Sequence, residues 1–165
     1  MKGQKWLFLA SWVLLLMLFA SVGFLSLNSL RVAYSGQNDL LATVTIDGKE
    51  KAIGLEQIRE IGGDAAVKAF KARRATAATF AFGYALLALF VVLFPYRRGE
   101  KWAWVALLLA TLLSQLFSLA RVFTLGTVQG SSASLIVLAI ALLGLLAGAP
   151  HLFAKKPIEN FEEVK

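Results

Sequence analysis

Thr111, Ser114, Gln115, Ser118 and Arg121 are the residues whose types and spacing most invite a chemical reading. They lie within "TLLSQLFSLARVF" (111–123), inside a long apolar stretch. At helical spacing they fall within an arc of about 120° on one face. Such a stripe has two uses in a bilayer. Its hydroxyls and amide can bond neighbouring helices together. They can also line a ligand pocket or a water path. Arg121 adds a formal charge, and an intramembrane charge is a functional candidate by default. It lies near the end of its helix, however, where a long side chain can reach the headgroups. Asn28, at the corresponding end of the first apolar stretch, is a polar neighbour within reach. Asp39 is the nearest carboxylate in sequence from that end.

Other chemistries are excluded or unsupported. The apolar stretches hold no Asp or Glu, so a proton-relay carboxylate is missing. The chain has no cysteine, which removes disulfides, thiol catalysis and cysteine metal sites. Its one histidine, His151, follows Pro150 at the edge of the last stretch, so a site of several His ligands is excluded. No Ser/His/Asp grouping, phosphate-binding loop or dinucleotide glycine pattern occurs. The expectation is a non-enzymatic protein with no catalytic residue, no metal and no cofactor.

These residues are positioned by an unusually apolar chain. It has 165 residues, 58% of them hydrophobic, and a mean hydropathy of +0.70. Soluble domains run near 45–50% apolar, and a chain this short has too much surface to bury such an excess. Four stretches reach spanning length, 6–27, 75–95, 102–123 and 134–153. Apart from a charge His151 could carry at the last edge, Arg121 is the one charged residue in them. The first is longer than the apolar core of a cleaved signal and reads as an anchor. The fold expected is an all-α transmembrane four-helix bundle in one domain, with a small α+β extracytoplasmic cap inserted at 28–74.

Within that insert, Asp47-Gly48 separates two short runs and predicts a hairpin over 41–53. Leu55, Ile58 and Ile61 share a helical face over 55–61, and Gly62-Gly63 end that helix. Asp64 then caps a second helix, 64–74, that runs into the second span. Lys68, Lys71, Arg73 and Arg74 lie at its entry. The short link at 96–104 makes spans two and three antiparallel neighbours. Tyr96, Trp102 and Trp104 read there as an interfacial aromatic belt, beside Arg97, Arg98 and Lys101. Both basic clusters suit anionic headgroups or an acidic partner, as does the net charge of +7. No basic run interleaved with aromatics points to nucleic acid. Lys and Arg divide almost evenly between the two sides. The short segments that would hold both termini and the 96–104 link are the more densely basic, which places both termini in the cytoplasm and the insert outside.

Small residues give two packing faces. Ala78, Ala81, Ala85 and Ala88 repeat at spacings of three and four, and Gly144 and Gly148 form a GxxxG pair. Both allow helices to approach closely, within the chain or across a homo-oligomer or membrane-protein interface. The anchor, the extracytoplasmic insert and the "PYRRGEKWAW" hairpin together resemble small four-helix bacterial inner-membrane proteins, loosely DoxX-like. The likeness lies mainly in 75–123. It implies a bacterial inner-membrane location and transfers no catalytic residue. The function expected is an accessory or scaffold subunit of a membrane assembly. The alternative is a small binder or carrier of a lipid or quinone, held against the 111–121 stripe.

Overall fold

The computed structural model describes residues 2–35, 41–46, 49–125 and 131–154. Its elements, in chain order, are α1 (Lys2–Tyr34), β1 (Leu41–Ile46), β2 (Lys49–Gly54), α2 (Leu55–Val91), a π-turn (Val92–Tyr96), α3 (Lys101–Leu125) and α4 (Ser131–Phe153). Four helices are long and apolar enough to cross a membrane: Gly3–Tyr34, Leu55–Tyr96, Lys101–Thr124 and Ser131–Phe153. By length and composition the chain is therefore a multi-pass membrane protein. Asp39, the Asp47-Gly48 turn, the 126–130 link and the tail from 155 lie outside the described residues.

α1 is the central helix. It packs extensively along α2 on one side and α4 on the other, and α3 packs on α4. α2 and α3 meet only slightly, although the short 96–104 link joins them. The expectation that they are close neighbours is corrected here. The reason lies in the residues each face offers. The small-residue face of α2 fits α1, with Ala75, Ala78, Ala85 and Ala88 buried. Ala85 is fully buried, and a methyl group on Gly23 of α1 would sit 3.6 Å from its Cβ. Ala81, expected in this seam, is only half-buried, and Ala75 extends the seam instead. Large residues on the rest of α2, including Phe80, Leu87 and Phe90, face outward.

The core of the bundle is built from Leu15 and Phe19 of α1, Ala88 and Val92 of the second span, Ala103 and Leu107 of α3, and Leu145 and Leu152 of α4. Beyond it, α1 and α2 continue together. α1 has 33 residues against 23 in α4. At 1.5 Å per residue that is about 50 Å against about 35 Å. Here Leu55 and Val67 are buried, with Val32, Ile58 and Phe70 packed on them.

β1 and β2 pair antiparallel in the register Leu41↔Gly54 to Ile46↔Lys49. α2 follows directly, and the Gln57 side-chain carbonyl accepts the Gly54 backbone N–H at 3.3 Å. Gly63 interrupts α2 at φ 66°, ψ −169°. Gly carries that backbone without the steric cost of a Cβ. The expected break thus appears as a kink, tied by an Arg59–Asp64 ion pair at 3.0 Å. Ile61 does not share the packed face expected for it. The kink ends the packed turn at Ile58, and Ile61 is 85% exposed.

Replacing Ala85 by Leu drives a side chain into the α1 backbone at Gly23. The expected cost is about 1–3 kcal/mol, as for overpacking generally, read as a lower melting temperature in detergent. Leu87→Ala on the outward face should leave the melt nearly unchanged. Equal effects of the two would show that the Ala85 face is not the packed one.

Candidate functional site

The polar groups of the bundle are arranged at three levels, each joining different helices. Nearest the 96–104 link, the Ser11 hydroxyl lies 2.5 Å from the Tyr96 hydroxyl and 2.6 Å from the Gly144 carbonyl. One side chain of α1 thereby ties the end of the second span to α4. Ser11 and Tyr96 are both fully buried. Two indoles act beside them. Trp12 donates to the Val92 carbonyl at 3.0 Å, and Trp104 donates to the Leu145 carbonyl at 2.7 Å.

Two prolines lie close to these bonds, but neither frees the carbonyls that accept them. Pro95 has no N–H, so the Val91 carbonyl loses its helical donor and the turn widens. The π-turn Val92–Tyr96 is that widening. Pro150 likewise removes the helical donor of the Leu146 carbonyl in α4. The Val92, Gly144 and Leu145 carbonyls accept the side-chain donors as additional bonds, each carbonyl oxygen having two lone pairs.

The same site depends on the GxxxG pair. A Cβ on Gly148 would overlap the Tyr96 hydroxyl and come within 2.7 Å of the Ser11 Oγ. A Cβ on Gly144 would meet Leu15 at 2.9 Å. These glycines therefore face α1 inside one chain. His151 is half-buried, its ring 4.6 Å from that of Phe8, which also stacks on Tyr96 at 5.4 Å.

The second and third levels involve the stripe of α3. Thr111 is 1% exposed and its hydroxyl lies 3.0 Å from that of Tyr84 on α2. Tyr84 in turn meets Phe19 of α1 edge-on at 5.9 Å. Further along, Ser118 bonds Ser134 of α4 at 2.8 Å. Ser134 is buried. The stripe is thus divided. Thr111 and Ser118 enter the bundle. Ser114 is exposed and donates to the Thr111 carbonyl of its own helix, and half-buried Gln115 donates to Ser114. An arc of about 120° is wider than the contact α3 makes, because α3 packs on α4 alone along most of its length. Arg121 is exposed near the end of α3. Asn28 lies along a groove on α1 with Arg31 and Tyr34, and no described bond joins it to the stripe.

The basic residues form two collars. Arg97 lies over the Trp12 ring at 5.2 Å and Lys101 over the Phe153 ring at 5.6 Å. Arg98 is exposed beside them. At the other end Lys68 and Arg73 are exposed, Lys71 is half-buried, and Arg74 donates to the Ser29 hydroxyl of α1 at 3.4 Å. The aromatic belt needs correction: Trp102 is exposed, but Tyr96 and Trp104 point into the bundle because they satisfy polar groups there. Ser11, Tyr84, Tyr96 and Ser134 were missed as site residues. Their one sequence signal is a hydroxyl in an apolar span, which does not reveal its partner.

Among the described residues no group of three or more His, Asp or Glu could hold a metal. Comparison with protein-family models, with curated proteins and with solved structures gives no match for this chain. The likeness of 75–123 to small DoxX-like proteins therefore stays a resemblance and carries no argument about activity.

Gly148→Ala should be among the costlier single-methyl additions, because its Cβ meets two hydrogen-bonded oxygens rather than a flexible chain end. A loss of about 1–3 kcal/mol is expected. Within the stripe, Thr111→Val should cost about 0.6–1.7 kcal/mol, the range for an interhelical bond in a membrane. Gln115→Leu should cost less, since its bond stays within α3. Chemical or thermal unfolding in detergent reads both, and the reverse order for Thr111 and Gln115 would contradict the division of the stripe.

Proposed function

We propose that the protein is a non-enzymatic integral membrane protein, an accessory or scaffold subunit of a membrane assembly. One observation carries this reading: the polar side chains inside the bundle are engaged in bonds between or along helices. Ser11, Tyr96, Tyr84, Thr111, Ser118 and Ser134 have protein partners, and among the described residues none of them bonds an acid or base that could drive a reaction. Both small-residue faces are directed at α1 of the same chain. Contact with another protein then falls to the end where α1 and α2 extend. There Ile61 stands exposed among charged residues, and the hairpin with the first turns of α2 serves as an extracytoplasmic cap. Lys68, Lys71 and Arg73 suit an acidic partner surface or anionic headgroups. Binding of a lipid or quinone against the 111–121 stripe has less support, because Thr111 and Ser118 are engaged with α2 and α4.

In this reading the protein is a bacterial inner-membrane protein with both termini in the cytoplasm. The absence of cysteine makes the orientation measurable without background. Ile61→Cys should react with an impermeant thiol reagent in intact cells, and Glu100→Cys only after lysis. The opposite pattern would invert the assignment. As a test of the function, native mass spectrometry from mild detergent should show the 17.9 kDa chain within a complex of fixed stoichiometry that Ile61→Asp dissolves. A chain that is monomeric with no second polypeptide, in wild type as in the variant, would overturn it.

A further inference from the structure

We propose that the extended end of α1 carries a binding site for an anionic phospholipid. The groove involved is lined by Phe24, Leu27, Asn28, Leu30, Arg31 and Tyr34. It holds about 380 Å³ and is an open groove whose described lining residues all belong to α1. Its residue types change along the helix axis. Phe24, Leu27 and Leu30 give an apolar wall, with Phe24 72% exposed. Asn28, Arg31 and Tyr34 follow at helical spacings of three, all three exposed. An acyl chain needs the first part, and a phosphate with its neighbouring hydroxyls needs the second.

The depth of the groove matches that division. From Trp6 to Leu27, α1 rises about 30 Å, the thickness of the hydrocarbon layer. Arg31 is four residues further, about 6 Å into the headgroup region. No carboxylate among the described residues forms an ion pair with Arg31. Its guanidinium can therefore take a phosphate through two parallel N–H donors. The Asn28 amide and the Tyr34 hydroxyl, one helical turn to either side, can reach the ester and glycerol oxygens. Net positive charge at this level is reinforced by Arg74 of the adjoining helix α2, held at Ser29 of α1. A lipid with net negative charge fits better there than a zwitterionic one, whose own cation would oppose that field. The site lies apart from the stripe of α3 and does not depend on whether the protein has a polypeptide partner.

The test uses the full-length protein in mild detergent, titrated with short-chain phosphatidylglycerol or phosphatidylcholine and read by native mass spectrometry. Wild type should retain one phosphatidylglycerol in preference to phosphatidylcholine. Arg31→Gln should weaken that retention about tenfold, the loss expected for one charge-assisted bond. Asn28→Leu, which leaves every charge in place, should weaken it about threefold. Arg98→Gln, in the opposite collar, should leave it unchanged. Both groove positions are exposed, so melting temperatures near that of wild type are expected and confirm that the variants fold. Equal retention of the two lipids by wild type would overturn the proposal. So would wild-type retention by both groove variants, or an equal loss in Arg98→Gln, which would mark the bound lipid as general headgroup attraction.

Discussion

The Ser11 hydroxyl, between Tyr96 and the Gly144 carbonyl, is the contact on which the bundle depends. A hydroxyl or indole N–H buried in hydrocarbon finds no water, so each must reach an acceptor on a neighbouring helix. That demands short distances between helix axes, and short distances demand glycine. Gly144 and Gly148 let α1 lie against α4 closely enough for the bond to form. Trp12 and Trp104 repeat the same solution at Val92 and Leu145. Glycine and donor thus form one arrangement, since without the close approach the side-chain bond cannot form.

The order of the helices follows from it. α1 must touch both α2 and α4 at this level, and the alanine face of α2 continues that contact toward the other end. α3 is then left to pack on α4, reaching α2 through the single Tyr84–Thr111 bond that the structure describes between them. Covalent proximity through a short link did not make α2 and α3 close partners. Complementary faces decided the packing.

Spanning helices were legible because the requirement is coarse: about 20 apolar residues with almost no charge. The break at Gly62-Gly63 was legible because glycine alone relieves the backbone there. Buried pairings were not. A hydroxyl in an apolar span can face a partner, its own backbone or a cleft, and the sequence is the same in each case. Ser114 and Ser118, four residues apart on one helix, have different fates for this reason. Tyr96 and Trp104 were misread as interfacial because an amphipathic ring next to arginines suits a headgroup layer equally well. What distinguished them was a buried partner on another helix, the Ser11 hydroxyl for Tyr96 and the Leu145 carbonyl for Trp104, a fact about the assembled bundle. Ile61 shows the converse: its spacing fitted a packed face, but the kink at Gly63 ended that face one turn sooner.

The distribution of bonded and unbonded polar groups separates the two ends of the molecule. At the end with the 96–104 link, cations lie over aromatic rings, as Arg97 over Trp12 and Lys101 over Phe153. Such contacts hold the side chains against the protein. At the end where α1 and α2 extend, Arg74 is held by Ser29, whereas Arg31, Lys68 and Arg73 present exposed cations beside exposed apolar groups such as Phe24 and Ile61. A molecule that is recognised with chemical specificity must find groups not already used by the fold. The interior offers few, since its hydroxyls are engaged, and at the linked end Arg97 and Lys101 already lie over rings, leaving Arg98 exposed beside them. In the proposed reading, specific recognition falls to the extended end of α1 and α2, while the bonded hydroxyls inside the membrane join helices to one another.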